Sequence, residues 1–423
     1  MRLLSRHGDD NQKTTWLPKI AAGAWGATIC VSEPQAGSDV GRIRTRATQR
    51  SDGTWRISGE KCWISYGDHD LTERIGHFLL ARIDGAPLGT HGLSLFLVPD
   101  TLDGGARNGV TVARLEEKLG LHGSPTCVLN FEDAVGFPIG PAGRGLPTLF
   151  AMIVSMRLGV ASQGAAVAQA AAGVAERYAA GRGQGGDPAG PPVRITNHAE
   201  VRRLLLTSRM RAEVARLLTL ETAAAVDAGD TGDPSAAARA SLLLPLAKSL
   251  GAEAAFSNAD AAIQVLGGAG YVKEWPVERM LRDARVFSIY EGTTAIQGLD
   301  LLQRRVLGRD GAAALATLLS SLAPDPRLGK IVTSTAQALA KGSARKQAAA
   351  AVPFLHLLGI AVSDGLLRRA SRKAGPLAER YMALAAHHEA EAAARCSLLA
   401  DRMLRDDVDP AFESVFPEFG LSA

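Results

Sequence analysis

The sequence predicts an α+β chain with more than one domain, in which a compact β domain precedes a set of long helices. The chain has 423 residues, which is enough for two or three domains. Short strand-like segments separated by Gly, Asp and Pro fill residues 26–131. After Gly145 the pattern changes to long segments rich in Ala and Leu, which are typical of helices.

The β domain is predicted to contain seven or eight strands. Its clearest segment, 42–48, alternates, with Ile43, Thr45 and Ala47 on one face and mostly basic side chains on the other. Such alternation is typical of a half-buried strand. The other candidate strands are 27–31, 54–57, 61–65, 77–83, 93–98, 110–115 and 126–131.

Long helices are predicted over 146–180, 198–228 and 234–266, and a loop rich in Gly and Pro joins the first two. Residues 285–305 indicate a further helix that is broken or begins near Glu291. A final helical block over 312–406, with a turn at 323–326, could form a separate domain. Residues 1–25 read as a polar lead with a possible helical turn.

Composition excludes several classes of protein. A hydrophobic content of 46% with 21% charged residues is typical of a globular protein. The net charge of +4 is spread along the chain, which indicates a mildly basic surface or attraction to an anionic ligand such as a nucleotide or CoA. The sequence has no basic block interleaved with aromatic residues, so nucleic-acid binding is not predicted. The start of the chain has no apolar signal core, so secretion is not predicted. No sufficiently apolar window is seen, so no membrane span is predicted.

Four scattered cysteines, Cys30, Cys62, Cys127 and Cys396, form no Cys-x-x-Cys pair. No His lies at zinc-ligand spacing, so no metal site is expected. Few, dispersed cysteines fit a reducing compartment, and a cytoplasmic location is predicted.

The most informative segment is 282–294, where an apolar run ends in Glu291 and is followed at once by Gly292 and Thr293. Burial beside Phe287 and Tyr290 would raise the pKa of Glu291, because a charge is poorly solvated among apolar groups. A carboxylate of this kind can serve as the general base for a weakly acidic C–H. The alternative is a helix end with a solvated Glu capped by Gly and Thr.

Two motifs lie in the β region. In 31–39 (VSEPQAGSD) a strand ends at a Pro, and the following turn can expose backbone N–H groups to carbonyls or phosphates of a flat cofactor. In 59–67 (GEKCWISYG), Trp63 and Ser65 share one strand face, where a ring and a hydroxyl could flank an isoalloxazine. The alternatives are a plain hairpin connection for the first and a core Trp for the second.

A third motif, 264–271 (QVLGGAGY), closes a helix with glycines that allow left-handed geometry and close approach. A plain helix cap would explain it equally well. It is not a dinucleotide-binding fingerprint, because no strand precedes it and the Gly spacing differs.

These four motifs stand in the order typical of the acyl-CoA dehydrogenase family, which the chain resembles over residues 11–307. The resemblance implies a middle β-barrel domain followed by a C-terminal four-helix bundle, with FAD bound between them. The implied domains are a remnant of an N-terminal helical domain (1–25), the barrel (26–140), the bundle (141–308) and an appended helical domain (309–423).

The resemblance also implies a reaction. Family members convert an acyl-CoA thioester to the trans-2-enoyl-CoA. Glu291 matches the base that takes the pro-R α-proton, while the β-hydrogen leaves as hydride to flavin N5. The thioester carbonyl would be polarised by the FAD ribityl 2′-hydroxyl and the backbone N–H of Glu291, which is oxyanion-type stabilisation.

Resemblance assigns residues to the flavin ring. Those that match the strand and turn along the ring are Ile29, Val31, Ser32, Gly37 and Ser38. Trp63 matches the aromatic over the ring, and Ser65 matches a hydroxyl bonded to N5.

Other residues match contacts with the rest of FAD and with the substrate. Arg182 and Gln184 match a loop that reaches the FAD diphosphate of a neighbouring subunit, and Thr293 matches a hydroxyl near the diphosphate. The segment that meets the adenosine across a dimer interface is matched by Gln264, Gly267 and Gly268. The implied substrate contacts are Ser38, Arg157, Tyr290 and Gly292, although helix surfaces also carry Arg for solubility alone.

Segments 66–71 and 117–126, with the helical C-terminus, resemble the long-form bacterial branch that contains 3-methylmercaptopropionyl-CoA dehydrogenase. Most of the family's N-terminal helical domain is expected to be missing. The expected partners are an acyl-CoA, electron-transfer flavoprotein or a similar acceptor, and further copies of the chain in a homodimer or homotetramer. Two alternatives stay open: an acyl-CoA oxidase, and a truncated, non-catalytic subunit or fragment that binds a partner chain.

Overall fold

The computed structural model describes residues 1–373, 375–405 and 414–416, and the chain divides into two compact units, residues 1–156 and 157–423. The first unit contains the sheet and the second is helical. This is the α+β architecture that the sequence predicts.

The first unit begins with helices α1 (Arg2–His7) and α2 (Asp10–Ala21). The strands follow as β1 (Trp25–Cys30), β2 (Arg46–Gln49), β3 (Trp55–Ser65), β4 (Arg74–Ile83), β5 (Leu93–Pro99), β6 (Val110–Leu115) and β7 (Thr126–Ile139). Strand β4 pairs with β2 and β5, β3 pairs with β2 and β7, and β5 pairs with β7, which closes a barrel. Strand β1 adds to β4 in parallel, and β6 adds to β7.

Several strand boundaries differ from the prediction. Ile43, Thr45 and Ala47 are buried, as the alternation predicts, but only Arg46–Gln49 is strand and Val40–Arg42 is a 3-10 turn. The two strands predicted over 54–65 are one strand, β3, because bulges absorb the breaks in its register with β7. A bulge leaves the strand continuous but interrupts the two-residue alternation of buried and exposed side chains. Strand ends predicted from that alternation are therefore misplaced.

The N-terminal segment is more ordered than a polar lead. Asp9 accepts a hydrogen bond from the backbone N–H of Gln12 at 2.7 Å and forms a capping box that begins α2. Leu3, Leu4 and Trp16 are buried in an apolar cluster with barrel residues such as Phe78. In place of the possible helical turn expected in residues 1–25, the structure has two short helices, which tertiary burial stabilises.

The second unit consists mainly of helices. They are α3 (Gly145–Gly181, which begins in the first unit), α4 (Ala199–Asp230), α5 (Pro234–Leu266), α6 (Gly268–Tyr271), α7 (Val277–Ala284), α8 (Thr294–Leu299), α9 (Gly311–Leu322), α10 (Pro326–Ala340), α11 (Ala344–Lys373) and α12 (Ala378–Leu404). The long helices predicted over 146–180, 198–228 and 234–266 are confirmed to within a few residues, and so is the turn before Pro326. Residue 406, where the predicted helical block ends, lies outside the described part of the chain, as do residues 374, 407–413 and 417–423 of the implied appended domain.

The helices after residue 309 share an apolar cluster with α5. Leu242 and Leu246 of α5 and Phe354 and Leu358 of α11 belong to this cluster, and all four are buried. The division into four domains stays a prediction, since the helical unit is compact as a whole.

Two helices, α3 and α11, are long and apolar enough to cross a membrane by length and composition alone. Most of the apolar window of α11 is buried within the protein, as expected of a core helix. The expectation that the chain has no sufficiently apolar window was therefore too strict, because each helix has a long stretch of Ala and other apolar residues with at most two charged side chains. The cytoplasmic location stays a prediction.

Candidate active site

Residues 289–293, the Glu291 turn, connect two helical segments. Helix α7 continues as the 3-10 turn Arg285–Ser288, and α8 begins only at Thr294, so the predicted break near Glu291 is confirmed. Glu291 has a φ of +55° and Gly292 a φ of +90°, which no right-handed helix can accommodate. For Glu291 this left-handed conformation costs about 1–3 kcal/mol. A non-glycine residue held in this way is a signal of function rather than of packing.

Burial raises the pKa of Glu291, while the nearby cations Arg157 and Lys248 act in the opposite direction. The predicted direction of the shift is confirmed. Phe287 is buried and stacks on Tyr290 with ring centroids 6.0 Å apart, whereas Ile289 is 50% exposed and shields the carboxylate less than expected. Because Glu291 lies three residues before α8, the alternative of a solvated Glu at a helix end does not fit.

Two fully buried side chains bind the carbonyls of this turn. Gln297 donates from Nε2 to the carbonyl of Glu291 at 2.9 Å, and Lys248 donates from Nζ to the carbonyl of Gly292 at 2.7 Å. Thr293 Oγ1 accepts the N–H of Ile296 at 3.3 Å and caps α8. Within the described residues, the N–H of Glu291 has no acceptor. The turn is thus fixed from inside the protein and retains one free backbone donor beside the carboxylate.

Arg157 is not a surface arginine. Its side chain is buried in α3 and donates from Nη1 to Asp300 Oδ2 at 3.1 Å, and Asp300 is also buried. Arg305 lies 3.4 Å from the other oxygen of Asp300. The alternative of an arginine kept for solubility is therefore excluded.

Three residues around this turn, Lys248, Gln297 and Asp300, were not predicted from the sequence. Lys248 carried a usable signal, because it is the one cation in the apolar segment 242–252 of α5. A lone charge on an otherwise apolar helix face requires a partner inside the protein. Gln297 and Asp300 follow the Glu291 turn within ten residues and look unremarkable in sequence, since their burial is a tertiary property.

A cleft of about 530 Å³ adjoins the turn. The residues that line it are Glu253, Phe256, Ser257, Arg285, Ser288, Ile289, Thr293, Thr294 and Ala295. Thr293, which the resemblance places near a diphosphate, therefore lies on a cleft that also presents a guanidinium and further hydroxyls. Tyr290, which precedes Glu291 in the chain, donates its hydroxyl hydrogen to Gln163 of α3.

In the first unit, Trp63 and Ser65 are both exposed while Ile64 between them is buried. The two side chains lie on the outer side of β3, as predicted, and a core position for Trp63 is excluded by its exposure of 58%. Trp63 also has a φ of +60°, at the bulge between Lys61 and Ile64. An exposed, strained Trp gains nothing from the apolar core, so its placement needs a different reason.

The motif at 31–39 lies against this part of β3. The backbone N–H of Cys62 donates to the carbonyl of Ser32 at 3.0 Å, and Lys61 Nζ donates to the carbonyl of Val31 at 3.1 Å. Ile29, at the end of β1, is half-buried, while Gly37 and Ser38 are exposed and Gly37 has open space where a Cβ would stand. The structure thus brings the first two motifs together.

The remaining predicted residues lie elsewhere in the helical unit. Arg182 and Gln184 are exposed on the loop after α3 and bond to each other at 3.3 Å. Gln264 is exposed near the end of α5, and Gly267 ends this helix with a φ of +61° and a ψ of −136°, so the cap has a positive φ but not the left-handed helical geometry that was predicted. Gly268 begins α6 and is exposed. No hydrogen bond among the described residues joins these positions to the Glu291 turn.

No group of three or more His, Cys, Asp or Glu side chains within the described ranges could hold a metal ion. The four cysteines are buried free thiols.

Two family profiles match the chain. "Acyl-CoA dehydrogenase, middle domain" matches residues 28–134, and "Acyl-CoA dehydrogenase, C-terminal domain" matches residues 143–307. An acyl-CoA dehydrogenase of Bacillus subtilis is 33% identical over 71% of this chain and 73% of its own length. The chain belongs to the acyl-CoA dehydrogenase family.

Among other relatives of this acyl-CoA dehydrogenase family member, 3-methylmercaptopropionyl-CoA dehydrogenase of Ruegeria pomeroyi is 40% identical over 85% of the chain. The chain spans 63% of that relative's length. A solved acyl-CoA dehydrogenase of Bacillus anthracis, complexed with FAD, has a TM-score of 0.80 at 21% identity and covers 98% of this chain and 76% of its own. This last likeness concerns the fold.

Proposed function

We propose that the chain catalyses the FAD-dependent α,β-dehydrogenation of an acyl-CoA thioester to the trans-2-enoyl-CoA, with Glu291 as the catalytic base. The observation that carries this proposal is the Glu291 turn. Its carboxylate is half-buried with a raised pKa, and its backbone is held in a strained conformation that is fixed by buried donors. Family membership supplies the reaction class, and this turn supplies a base suited to it.

The chain's own groups would act on the α-carbon. Burial makes the carboxylate of Glu291 more basic than an exposed one, so it can accept the α-proton of a thioester more readily. The free N–H of Glu291 would donate to the thioester oxygen, where negative charge develops as the proton leaves. FAD, when bound, supplies the hydride acceptor for the β-hydrogen. Ser38, Arg157, Tyr290 and Gly292 would contact the substrate, with the guanidinium of Arg157 oriented by its hydrogen bond to Asp300.

The residues of the barrel fit a flat aromatic cofactor. Trp63 is exposed and strained on the same side of β3 as Ser65, and Gly37 leaves open space at its α-carbon. Trp63 would stack on the isoalloxazine and Ser65 would hydrogen-bond to it. Ile29, Val31, Ser32, Gly37 and Ser38 would complete the ring site.

For the rest of FAD we propose the exposed positions of the helical unit. Arg182 and Gln184 present a cation and an amide on a loop, and Thr293 lines the cleft beside the turn. Gln264, Gly267 and Gly268 would meet the adenosine. We propose that Arg182, Gln184, Gln264, Gly267 and Gly268, all of which are exposed, serve FAD in a neighbouring copy within a homodimer or homotetramer. Thr293 would lie near the FAD diphosphate.

The test is an anaerobic visible spectrum of the purified chain, recorded before and after addition of a panel of acyl-CoAs. Flavin bands that bleach with one acyl-CoA would support the proposal and identify the acyl group. Bound flavin that no acyl-CoA bleaches, or a chain that binds no flavin, would contradict it in favour of a non-catalytic subunit. Reoxidation separates the electron acceptors: electron-transfer flavoprotein supports a dehydrogenase, and rapid hydrogen peroxide formation in air supports an oxidase.

The substitution Glu291→Gln tests the base. We expect this variant to retain FAD and to lose flavin reduction by about 10²–10⁴-fold, the usual contribution of a positioned base. The matched control is Glu379→Gln, at an exposed position in the first turn of α12. Reduction at the unsubstituted rate in Glu291→Gln would remove this residue from the mechanism.

A further inference from the structure

The left-handed backbone of Glu291 and Gly292 depends on two donors of different origin. Gln297 binds the carbonyl of Glu291 from α8, the helix that directly follows the turn. Lys248 binds the carbonyl of Gly292 from α5, which is 44 residues away in sequence. Lys248 therefore links the turn to α5, a helix distant in sequence, whereas Gln297 links it only to α8, the helix that follows it.

Burial of the Lys248 ammonium is unfavourable in free energy. Its side chain is fully buried, and the one hydrogen bond that its ammonium makes within the described residues goes to the carbonyl of Gly292. Burial and the neighbouring charge of Arg157 lower the pKa of Lys248 to about 8, while Glu291 and Glu253 act in the opposite direction. A neutral residue would be easier to bury there, so the charge itself is expected to have a use.

That use is apparent from the groups that face Glu291. Arg157 approaches from α3 and Lys248 from α5, and Tyr290 precedes the carboxylate in the chain. Arg157 is already paired with the buried carboxylate of Asp300. Lys248 has no carboxylate bonded to it, so its charge remains available to stabilise the ionised form of Glu291.

We propose that Lys248 is a positioning residue for Glu291: it holds the strained turn through the carbonyl of Gly292 and favours the ionised carboxylate. This inference rests on the proposed function for the role of the carboxylate as a base. The role in holding the turn is independent of turnover.

The experiment uses the full chain with bound FAD and the variants Lys248→Met and Lys248→Gln. Methionine removes both donor and charge at similar length, whereas glutamine retains an N–H donor without charge. The control is Lys330→Met, at an exposed position of α10. Two quantities are measured: hydrogen exchange of a peptide covering 289–294, and the pH dependence of flavin reduction by the acyl-CoA that bleaches the wild-type protein.

In Lys248→Met we expect faster exchange of the turn and a reduction rate lower by about 10–100-fold, as for a misplaced catalytic group. The acid limb of the pH profile should move to higher pH, because loss of the positive charge raises the pKa of Glu291 further. Lys248→Gln should exchange more nearly like the wild-type protein and still show the moved acid limb. If Lys248→Met does not fold, Lys248→Gln decides the question of charge.

An acid limb that stays in its wild-type place in both variants would overturn the proposal, and so would unchanged exchange of the turn in Lys248→Met. A merely structural role would not move the acid limb. If the wild-type flavin is not bleached by any acyl-CoA, the proposed function fails on its own account. The exchange measurement then decides whether Lys248 holds the turn, with unchanged exchange counting against it.

Discussion

Each unit of the molecule buries a lysine completely, and the two lysines are treated differently. Lys61 of β3 donates to Glu33 Oε1 at 2.8 Å, to the carbonyl of Leu80 at 2.8 Å and to the carbonyl of Val31 at 3.1 Å. Its three N–H donors are all used. Lys248 of α5 bonds to one carbonyl and lies beside the cation Arg157. The ammonium of Lys61 has three acceptors and stabilises the barrel. The ammonium of Lys248 has one acceptor, so its charge can also stabilise the carboxylate of Glu291.

The partner of Lys61 supports this contrast. Burial alone would raise the pKa of Glu33, but Lys61 and hydrogen bonds from Arg44 and Thr45 outweigh it, so the pKa of this carboxylate is lowered. The pKa of Lys61 is lowered by burial, and the charge of Glu33 and its hydrogen bond act in the opposite direction. At Glu291 the balance is reversed, and the pKa is raised despite two nearby cations.

The largest expected effect on stability comes from Lys61→Met, which leaves the carboxylate of Glu33 buried without its ion partner. We expect the free energy of unfolding to fall by about 3–5 kcal/mol. Urea denaturation followed by Trp fluorescence measures it, since four of the five tryptophans lie in the first unit. A loss no larger than that of the half-exposed control Lys13→Met would show that the pair does not hold the barrel.

A smaller loss is expected for Lys248→Met. The substitution removes the shorter of two hydrogen bonds to the carbonyl of Gly292, which also accepts from Gln297 Nε2 at 3.4 Å. Loss of one hydrogen bond costs about 0.5–1.5 kcal/mol, but the substitution also removes the cost of burying an ammonium. We expect less than half the loss seen for Lys61→Met, measured by urea denaturation followed by helical circular dichroism. Equal losses for the two lysines would end the distinction between a structural and a functional site.

A further effect concerns how stability changes with pH. The pKa of Lys248 is about 8 in the folded chain, below the value of about 10.4 for an unfolded lysine, so between these values the unfolded chain binds more protons. Stability therefore rises with pH across this window as the cost of burying the charge disappears. The contribution of this one group approaches 1.4 kcal/mol per pH unit.

Lys248→Met should reduce that slope relative to Lys330→Met, measured by urea denaturation at several pH values from 7 to 10. An identical slope in the two variants would mean that Lys248 takes up its proton in the folded chain much as it does in the unfolded one.

The sequence alone determined the order of the elements and most of the candidate site. Alternation in 42–48 and the long apolar periodicity after residue 145 are local patterns, and the structure confirms the β and helical regions that they predict. The motifs containing Trp63, Gly267 and Glu291 were recognisable because each joins a chemical group to a residue that breaks regular structure. Even the direction of the pKa shift at Glu291 followed from its neighbours in sequence.

Only the tertiary structure decided which charges those motifs would meet. Arg157 was predicted to contact the substrate, with a surface arginine as the alternative, and it is paired with buried Asp300. Lys248 lies 44 residues from the carbonyl it binds. Periodicity reports which face of a helix is buried, but it does not report what lies opposite that face. The pairing of distant polar groups depends on how the helices pack, so it emerges only when the chain is folded.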